Sequence, residues 1–448
     1  MMGNYDIVIL GGGPAGVQSA LSARNSWPGK TIALIRKDEV PMFPCGIPYV
    51  FHTLKSVDEN ILPDTALEKS GVKIIVGEVS GRSGKILHLA DDREVGFDRL
   101  VLAFGSLPET LPIEGSENES IYTVGKSYEY LKRFRKAIDD SDDILIIGGG
   151  YIGVEIADEL SRARRLVTIV EMMPSLLPNT MDPEFGDTAE EELEKQGCKV
   201  VTGIKVEKIT GDGKTIGAEL EDGNRIDADI VIIAAGYRPN VEMAKKMWVA
   251  ADPEYGVLVD EYLRTSAPDI YAAGDCVASR NSFTGEYTKA MLASTAMAQG
   301  RLAGSNLYGI NVFKTFNGTL SSFSTKVGDT ALAVTGLTET QAREMDIGYF
   351  VGQTDTVDHH PSCLPGARKI RTKLVFARKT HHLLGAQISG GDSVGELINM
   401  LSVMIQNKMT DMEIDTLQFG THPLLTPSPL GYSVINAAVN GILKWYHK

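Results

Sequence analysis

The sequence predicts an α/β chain of roughly three domains, two of them wound around parallel sheets and the third of α+β type. Three observations predict it. A chain of 448 residues is too long for one ordinary core. A strand, a glycine-rich loop and a helix follow one another twice, at residues 5–24 and again at 143–155. From Phe313 onward the pattern changes to strands with turns and one long helix.

Composition narrows the function classes. Hydrophobic residues make up 43% and charged residues 23%, as in a water-soluble globular protein. A formal net charge of -14 argues against a nucleic-acid partner, because phosphate binding needs a basic surface. Cys45, Cys198, Cys276 and Cys363 show no short spacing, so they fit neither a disulfide framework nor a zinc site. A reducing cytoplasm is the simplest compartment. The N-terminal apolar run is broken by Gly11, Gly12 and Gly13 and has no basic leader, so it reads as a strand entering a turn. No apolar run approaches the length that spans a bilayer, and no membrane association is expected.

The first unit opens with the strand Tyr5–Leu10, the loop Gly11-Gly12-Gly13-Pro14-Ala15-Gly16 and the helix Val17–Arg24. Gly11 makes the turn, Gly13 lets the backbone approach a pyrophosphate, and Gly16 lets helix and strand pack closely. The helix N-terminus then meets the negative charge. This is a Rossmann-like dinucleotide fingerprint. The second strand, Thr31–Ile35, should end on an acid that holds the adenosine ribose, but Arg36 and Lys37 stand there, with Asp38 and Glu39 only afterwards. The ribose is therefore expected on backbone or on Asp38, or Arg36 stacks on the adenine.

Next comes Pro41-Met42-Phe43-Pro44-Cys45-Gly46-Ile47-Pro48-Tyr49. Prolines pin φ and glycine relaxes the backbone, so the segment is built to aim one side chain, Cys45. The alternative reading is a buried structural thiol. After Asn60–Pro63, a short strand at Val72–Val76 leads into Gly77-Glu78-Val79, and Val79 is a candidate cofactor contact. Phe97–Ser106 reads as a buried strand whose end, Ala103-Phe104-Gly105, suits a crossing beneath a bound cofactor. Pro108–Ser120 is loop-like and marks a domain crossing.

The second fingerprint runs from the strand Asp143–Ile147 through Gly148, Gly149, Gly150, Tyr151, Ile152 and Gly153 to Glu155. Here the acid is present, Glu171, directly after the strand Leu166–Val170. An acid there binds a ribose diol and repels a 2′-phosphate, which favours NADH over NADPH. Arg162, Arg164 and Arg165 could reach a phosphate or form a solvated helix end. The strand Ile230–Ile233 then ends in Ala234–Asn240, with Gly236 at the crossing. Later, Ile270–Cys276 ends in Gly274-Asp275, which places a carboxylate where a ribityl hydroxyl can bond to it. Cys276 is expected to be packing. A helix from about Thr288 through Met297 to Gly304 would point its positive N-terminus at a flavin O2.

In the third region Leu374–Ala377 and Leu383–Ile388 read as a hairpin. Val394–Ile405 carries apolar residues at helical spacing, its methionines serving a core or a subunit interface.

These residues resemble the flavin-dependent pyridine nucleotide-disulfide oxidoreductases over essentially the whole chain. The GGGPAG and GGGYIG loops, the AFGS and AAGYRPN crossings, YAAGDC and LLGAQISGG stand in that family's order. The resemblance implies an FAD-binding domain of residues 1–114 and 244–316, an NAD(P)H-binding domain of 115–243 and a dimerisation domain of 317–448. The single cysteine of PCGIPY resembles the branch of coenzyme A disulfide and persulfide reductases, NADH oxidases and NADH peroxidases. Dithiol members need a second cysteine five positions on, where Val50 stands. Peroxidases and many oxidases of this type carry a histidine in the first loop, where Pro14 stands. Arg24 matches an arginine used against coenzyme A phosphates, although a plain helix-end arginine reads the same. The tyrosines expected near His360–Ala367 are replaced by Ser362 and Cys363, and Cys363 could relay reducing equivalents across a dimer. His422, in a segment like the family's end segment, could be a proton donor or a loop histidine held by Pro423.

The resemblance implies a homodimeric enzyme using FAD and NADH, with coenzyme A as a further ligand. It would reduce a disulfide, persulfide or polysulfide through Cys45, with Glu155 beside the nicotinamide. The alternatives are an NADH oxidase, a reductase of a rubredoxin-like carrier, and an NADH-sensing flavoprotein that binds a partner.

Overall fold

A computed structural model describes residues 3–211 and 216–446 of the chain. It divides into two compact units: the residues up to Leu111 with Tyr122–Asp140 and Ala235–Thr319, and Pro112–Ile121 with Ser141–Ala234 and the residues from Leu320 on.

In the first unit, strands Lys73–Val76, Ile32–Arg36, Asn4–Leu10, Glu94–Leu102 and Ile270–Ala272 lie side by side and parallel. The strands Ile86–Leu89 and Val79–Ser83 add to it antiparallel. Its central strands are apolar on both faces, as a covered parallel sheet requires. Val8, Leu10, Ala33, Ile35, Leu100 and Leu102 build the core on one side. Ile7, Ile9, Ile32, Leu34 and Val101 build it on the other, under the helices Pro14–Ser26 and Ala293–Ser305. Those two helices touch backbone to backbone: a Cβ on Gly304 would stand 2.2 Å from the Ser19 carbonyl oxygen. The second helix begins at Ala293, five residues later than the sequence predicts. Thr288 instead donates its N–H to Ser279, and Leu292 is extended.

The second unit holds the parallel strands Lys199–Thr202, Leu166–Glu171, Asp143–Ile147 and Ile230–Ile233. With them come the helix Tyr151–Arg162 and an antiparallel sheet of Val206–Gly211, Ile216–Leu220 and Arg225–Ala228. A second antiparallel sheet runs in the order Phe323–Val327, Thr330–Gly336, Leu383–Gly390, Lys369–Ala377, Tyr349–Val357. Its middle contains the expected hairpin, with Val375 opposite Gly385. The helix expected over Val394–Ile405 spans Val394–Gln406. The region has a second long helix, Ser433–Tyr446, which the sequence reading lacks. Its buried positions include the small residues Ala437, Ala438 and Gly441, and the backbone at Ala437 and Gly441 lies against the strand at Gly352 with no side chain between. Val434, Ile435, Ala438, Val439 and Ile442 stand at helical spacing, so the sequence does carry the signal of this helix. Among the described residues no helix is long and apolar enough to cross a membrane.

Candidate active site

The two glycine loops have the same construction. Gly11 sits at φ 127° and Gly148 at φ 113°, values open to glycine. A Cβ on Gly16 would stand 1.9 Å from the Gly11 carbonyl oxygen, and one on Gly153 2.0 Å from that of Gly148. Gly13 and Gly150, by contrast, face open space, and neither following helix has a side-chain cap on its N-terminus. Each loop is thus a cradle of backbone at the start of a helix with no side chain capping it, a form that fits a pyrophosphate. Pro14 and Ala15 open the first helix, as Tyr151 and Ile152 open the second. The buried Glu171 accepts from the N–H groups of Gly149 at 2.6 Å and Met173 at 2.8 Å. It braces the loop and still has lone pairs for a ribose hydroxyl.

At the carboxyl edge of the first sheet the loops converge, which is where such sheets bind ligands. Ala103 N–H donates to Leu10 at 2.8 Å, and Ala273 N–H to Leu102 at 2.9 Å. Gly274 approaches Ala15 so closely that a Cβ on it would stand 2.7 Å from that methyl. Phe104 and Gly105 continue the crossing, and Val79 is buried nearby in the same core as Leu102. Asp275 accepts from the Ser106 hydroxyl at 2.9 Å, and Lys126 Nζ lies 2.9 Å from that hydroxyl and 3.5 Å from the carboxylate. Sequence reasoning named Asp275 and missed Lys126, which sits in a loop without a motif. Gln299, fully buried, accepts from Gly274 N–H at 2.7 Å and donates to Ser279 at 2.9 Å. Cys276 is buried and burial pushes its thiol up to about 12, so it is packing as expected.

Arg36 pairs through both terminal nitrogens with Asp64 and donates to the carbonyls of Asp38 and Glu39. What it turns toward the first loop is its aliphatic stem, whose Cδ would lie 2.9 Å from a Cβ on Gly12. Lys37 is exposed and pairs with Glu78 at 3.1 Å. Arg24 has the part of a helix-end clamp: it donates to the carbonyls of Pro28, Lys30, Ser70 and Gly71. Of the two readings of Arg24, this geometry supports the structural one.

Cys45 lies in a single 3-10 turn, Pro44–Gly46, and is exposed. The buried-thiol alternative is thereby overturned. Asn60, buried, holds the turn: Phe43 N–H donates to its carbonyl at 3.0 Å and its amide donates back to Phe43 at 2.9 Å. A Cβ on Gly46 would fall 1.9 Å from the Asn60 side-chain oxygen, so glycine is required there. Sequence reasoning passed over Asn60 because no motif marks it. Val50, where a second thiol would stand, is fully buried.

In the second unit Glu155 accepts from the Thr325 hydroxyl at 2.8 Å. Burial pushes its carboxyl up to about 7, against the Thr325 bond and with help from Asp158 and Glu159. His422 Nδ1 accepts from Leu424 N–H at 3.2 Å, so the neutral ring carries its proton on Nε2. Its loop is joined to that of the exposed Cys363, since His360 N–H donates to Pro423 at 3.0 Å. Gly236, at φ 107°, faces open space.

Residues 5–300 match the family model of the pyridine nucleotide-disulphide oxidoreductases, and 322–429 match the dimerisation domain of the same family. The chain belongs to this family. It is 32% identical to an NADH oxidase of Methanocaldococcus jannaschii, over 98% of each chain. It is 30% identical to an NAD(P)H coenzyme A polysulfide/persulfide reductase of Pyrococcus horikoshii, over 86% of this chain and 87% of that one. The structure of an NAD-dependent persulfide reductase from A. fulgidus superposes with a TM-score of 0.90 at 30% identity, covering 99% of this chain and 84% of that one. The chain is accordingly an NAD(P)H-dependent flavoprotein oxidoreductase.

Proposed function

We propose that the protein is an NADH-dependent FAD flavoprotein that reduces a disulfide, persulfide or polysulfide through Cys45. The observation that carries this reading is the exposed thiol on a braced turn, with Val50 in place of a second cysteine. FAD would be held by Gly11, Gly13, Pro14, Ala15 and Gly16, by Ala103, Phe104 and Gly105, and by Gly274 and Asp275, with Arg36, Lys37 and Val79 at its edges. NADH would be held by Gly148, Gly150, Tyr151, Ile152 and Gly153, with Glu171 on the ribose, Glu155 toward the nicotinamide and Gly236 at the crossing. The three-domain division at residues 114/115, 243/244 and 316/317 follows from this assignment. When bound, FAD supplies the two-electron relay between nicotinamide and sulfur.

The Cys45 thiolate attacks one sulfur of R–S–S–R′, forming a Cys45–S–S–R bond and breaking the substrate S–S bond. The leaving R′–S⁻ takes the proton of the net reaction, for which the protonated ring of His422 is the candidate donor. The electron pair and proton that return Cys45 to its thiolate and release R–SH derive from NADH, so that NADH, H⁺ and R–S–S–R′ give NAD⁺, R–SH and R′–SH. Pro14 in the first loop leaves peroxide chemistry without its histidine. The match to the dimerisation domain supports a homodimer, in which Cys363 would relay electrons between subunits. The name of the P. horikoshii relative supports a coenzyme A conjugate as substrate. Cytoplasmic placement follows from the cysteine pattern.

The M. jannaschii similarity favours one second reading, an NADH oxidase that passes electrons to dioxygen. NADH consumption by Cys45→Ser and wild type, measured with a disulfide under argon and with oxygen alone, separates them. The proposal expects Cys45→Ser to lose disulfide turnover by at least about a thousandfold. Full disulfide turnover in Cys45→Ser would sink it, and oxygen uptake as the faster reaction would favour the oxidase.

A further inference from the structure

The helix Tyr151–Arg162 carries the acids Glu155, Asp158 and Glu159, of which Glu155 and Asp158 lie three residues apart. The hairpin formed by Phe323–Val327 and Thr330–Gly336 answers both. Thr325, 5% exposed, donates its hydroxyl to Glu155 at 2.8 Å. Gly328, at the hairpin tip, donates its N–H to Asp158 at 2.7 Å. The Tyr151 ring, on the first residue after the glycine loop, meets the Phe323 ring at 5.4 Å. The helix that leaves the second cradle is therefore gripped by the hairpin at three points along its length.

We infer that Thr325 is a positioning residue for the nicotinamide end of NADH: its hydroxyl fixes the Glu155 carboxylate in one orientation and favours its ionised form. This rests on the reading that places Glu155 beside the nicotinamide. The hydroxyl is the single side-chain donor bonded to Glu155 among the hydrogen bonds found in the described residues. The charges that bear on Glu155 are Asp158 and Glu159 of its own helix, both of which face Arg162, at 3.7 and 3.2 Å. From the hairpin, Lys326 reaches Asp392 instead. From the helix Pro183–Lys195 and the residue after it, Gln196 is a neutral partner of Asp158. A hydroxyl donated to a carboxylate stabilises the charged form, and an oxidised nicotinamide, being cationic, would stabilise it further. NAD⁺ binding near neutral pH should then release a proton from Glu155.

Calorimetric titration of the oxidised holoenzyme with NAD⁺, in buffers of different ionisation enthalpy, measures that proton as a function of pH. Wild type should release it most strongly just below pH 7, between the pKa values without and with NAD⁺, and Glu155→Gln should release none. Thr325→Val, which keeps the shape and removes the donor, should move the maximum upward by about one pH unit. Thr325→Ser should restore the wild-type profile. A Thr325→Val profile superimposable on wild type, with Glu155→Gln flat, would overturn the inference alone. Proton release persisting in Glu155→Gln would overturn the placement of Glu155 and the inference with it.

Discussion

At the scale of single residues, the side chains that aim the chemistry are not those that carry the motifs. Cys45 has a motif around it, yet its direction is set by Asn60, which binds Phe43 at both its N–H and its carbonyl and lies against Gly46. Glu155 follows a glycine loop, but its environment comes from burial and from Thr325. This has a consequence for stability. The carboxyl is raised to about 7 from the ordinary 4.5, so its contribution is fully present below pH 4.5, where it is protonated in both states, and is lost as pH rises through 7. Glu155→Gln removes the buried charge and should stabilise the protein above pH 7, by at most about 3 kcal/mol, with little effect at pH 4.5. Thermal unfolding of the two proteins across that range tests it, and an equal or lower stability for Glu155→Gln at pH 8 would contradict the sign.

At the scale of elements, the second unit is pinned by a buried cation. Lys373, 5% exposed on the strand Lys369–Ala377, lies 2.9 Å from Asp182, 2.6 Å from Glu184 and 2.8 Å from Glu339. Burial alone would lower its pKa, but these carboxylates hold it above the usual lysine range. Burial opposes ionisation of Asp182 too, yet the bonds from Lys373 and Thr340 hold that carboxyl at about 2. Asp182 thus adds stability that is present above the usual carboxylate range and lost as pH falls toward 2. Lys373→Met leaves Asp182 buried without its cation and should cost about 3 kcal/mol at pH 7, an amount that shrinks in acid as Asp182 protonates. Urea unfolding at pH 7 and pH 4 measures both numbers. None of this cluster is legible in the sequence, because Asp182 and Lys373 stand far apart in the chain and neither belongs to a pattern. The glycine loops are legible, since the turn, the cradle and the close helix are all encoded within a few consecutive residues, as at Gly11, Gly13 and Gly16. Between these extremes lies the helix Ala293–Ser305. It packs through small residues such as Gly304, so its buried face carries a weak apolar signal and its start depends on a partner that only the fold supplies.

At the scale of the molecule, the two cradles lie in different compact units, the Gly11 loop in one and the Gly148 loop in the other. Each unit has its own parallel sheet buried on both faces, so each has the means to unfold as a cooperative block. A ligand that binds only the native form of one block stabilises that block by mass action, by about 2.7 kcal/mol at a hundredfold excess over its Kd. Calorimetric unfolding of the FAD-free protein should therefore resolve two transitions. Added FAD should raise the one that belongs to the unit of Cys45 and Asp275, and NAD⁺ the one that belongs to the unit of Glu155 and Glu171. The blocks can be told apart without ligand, because Lys373→Met should lower only the second. A single transition raised equally by both ligands would mean that the two units unfold as one. Ligand shifts that appear in the exchanged transitions would mean that the two glycine loops have been assigned to the wrong nucleotides, a result the near identity of their geometry makes worth testing directly.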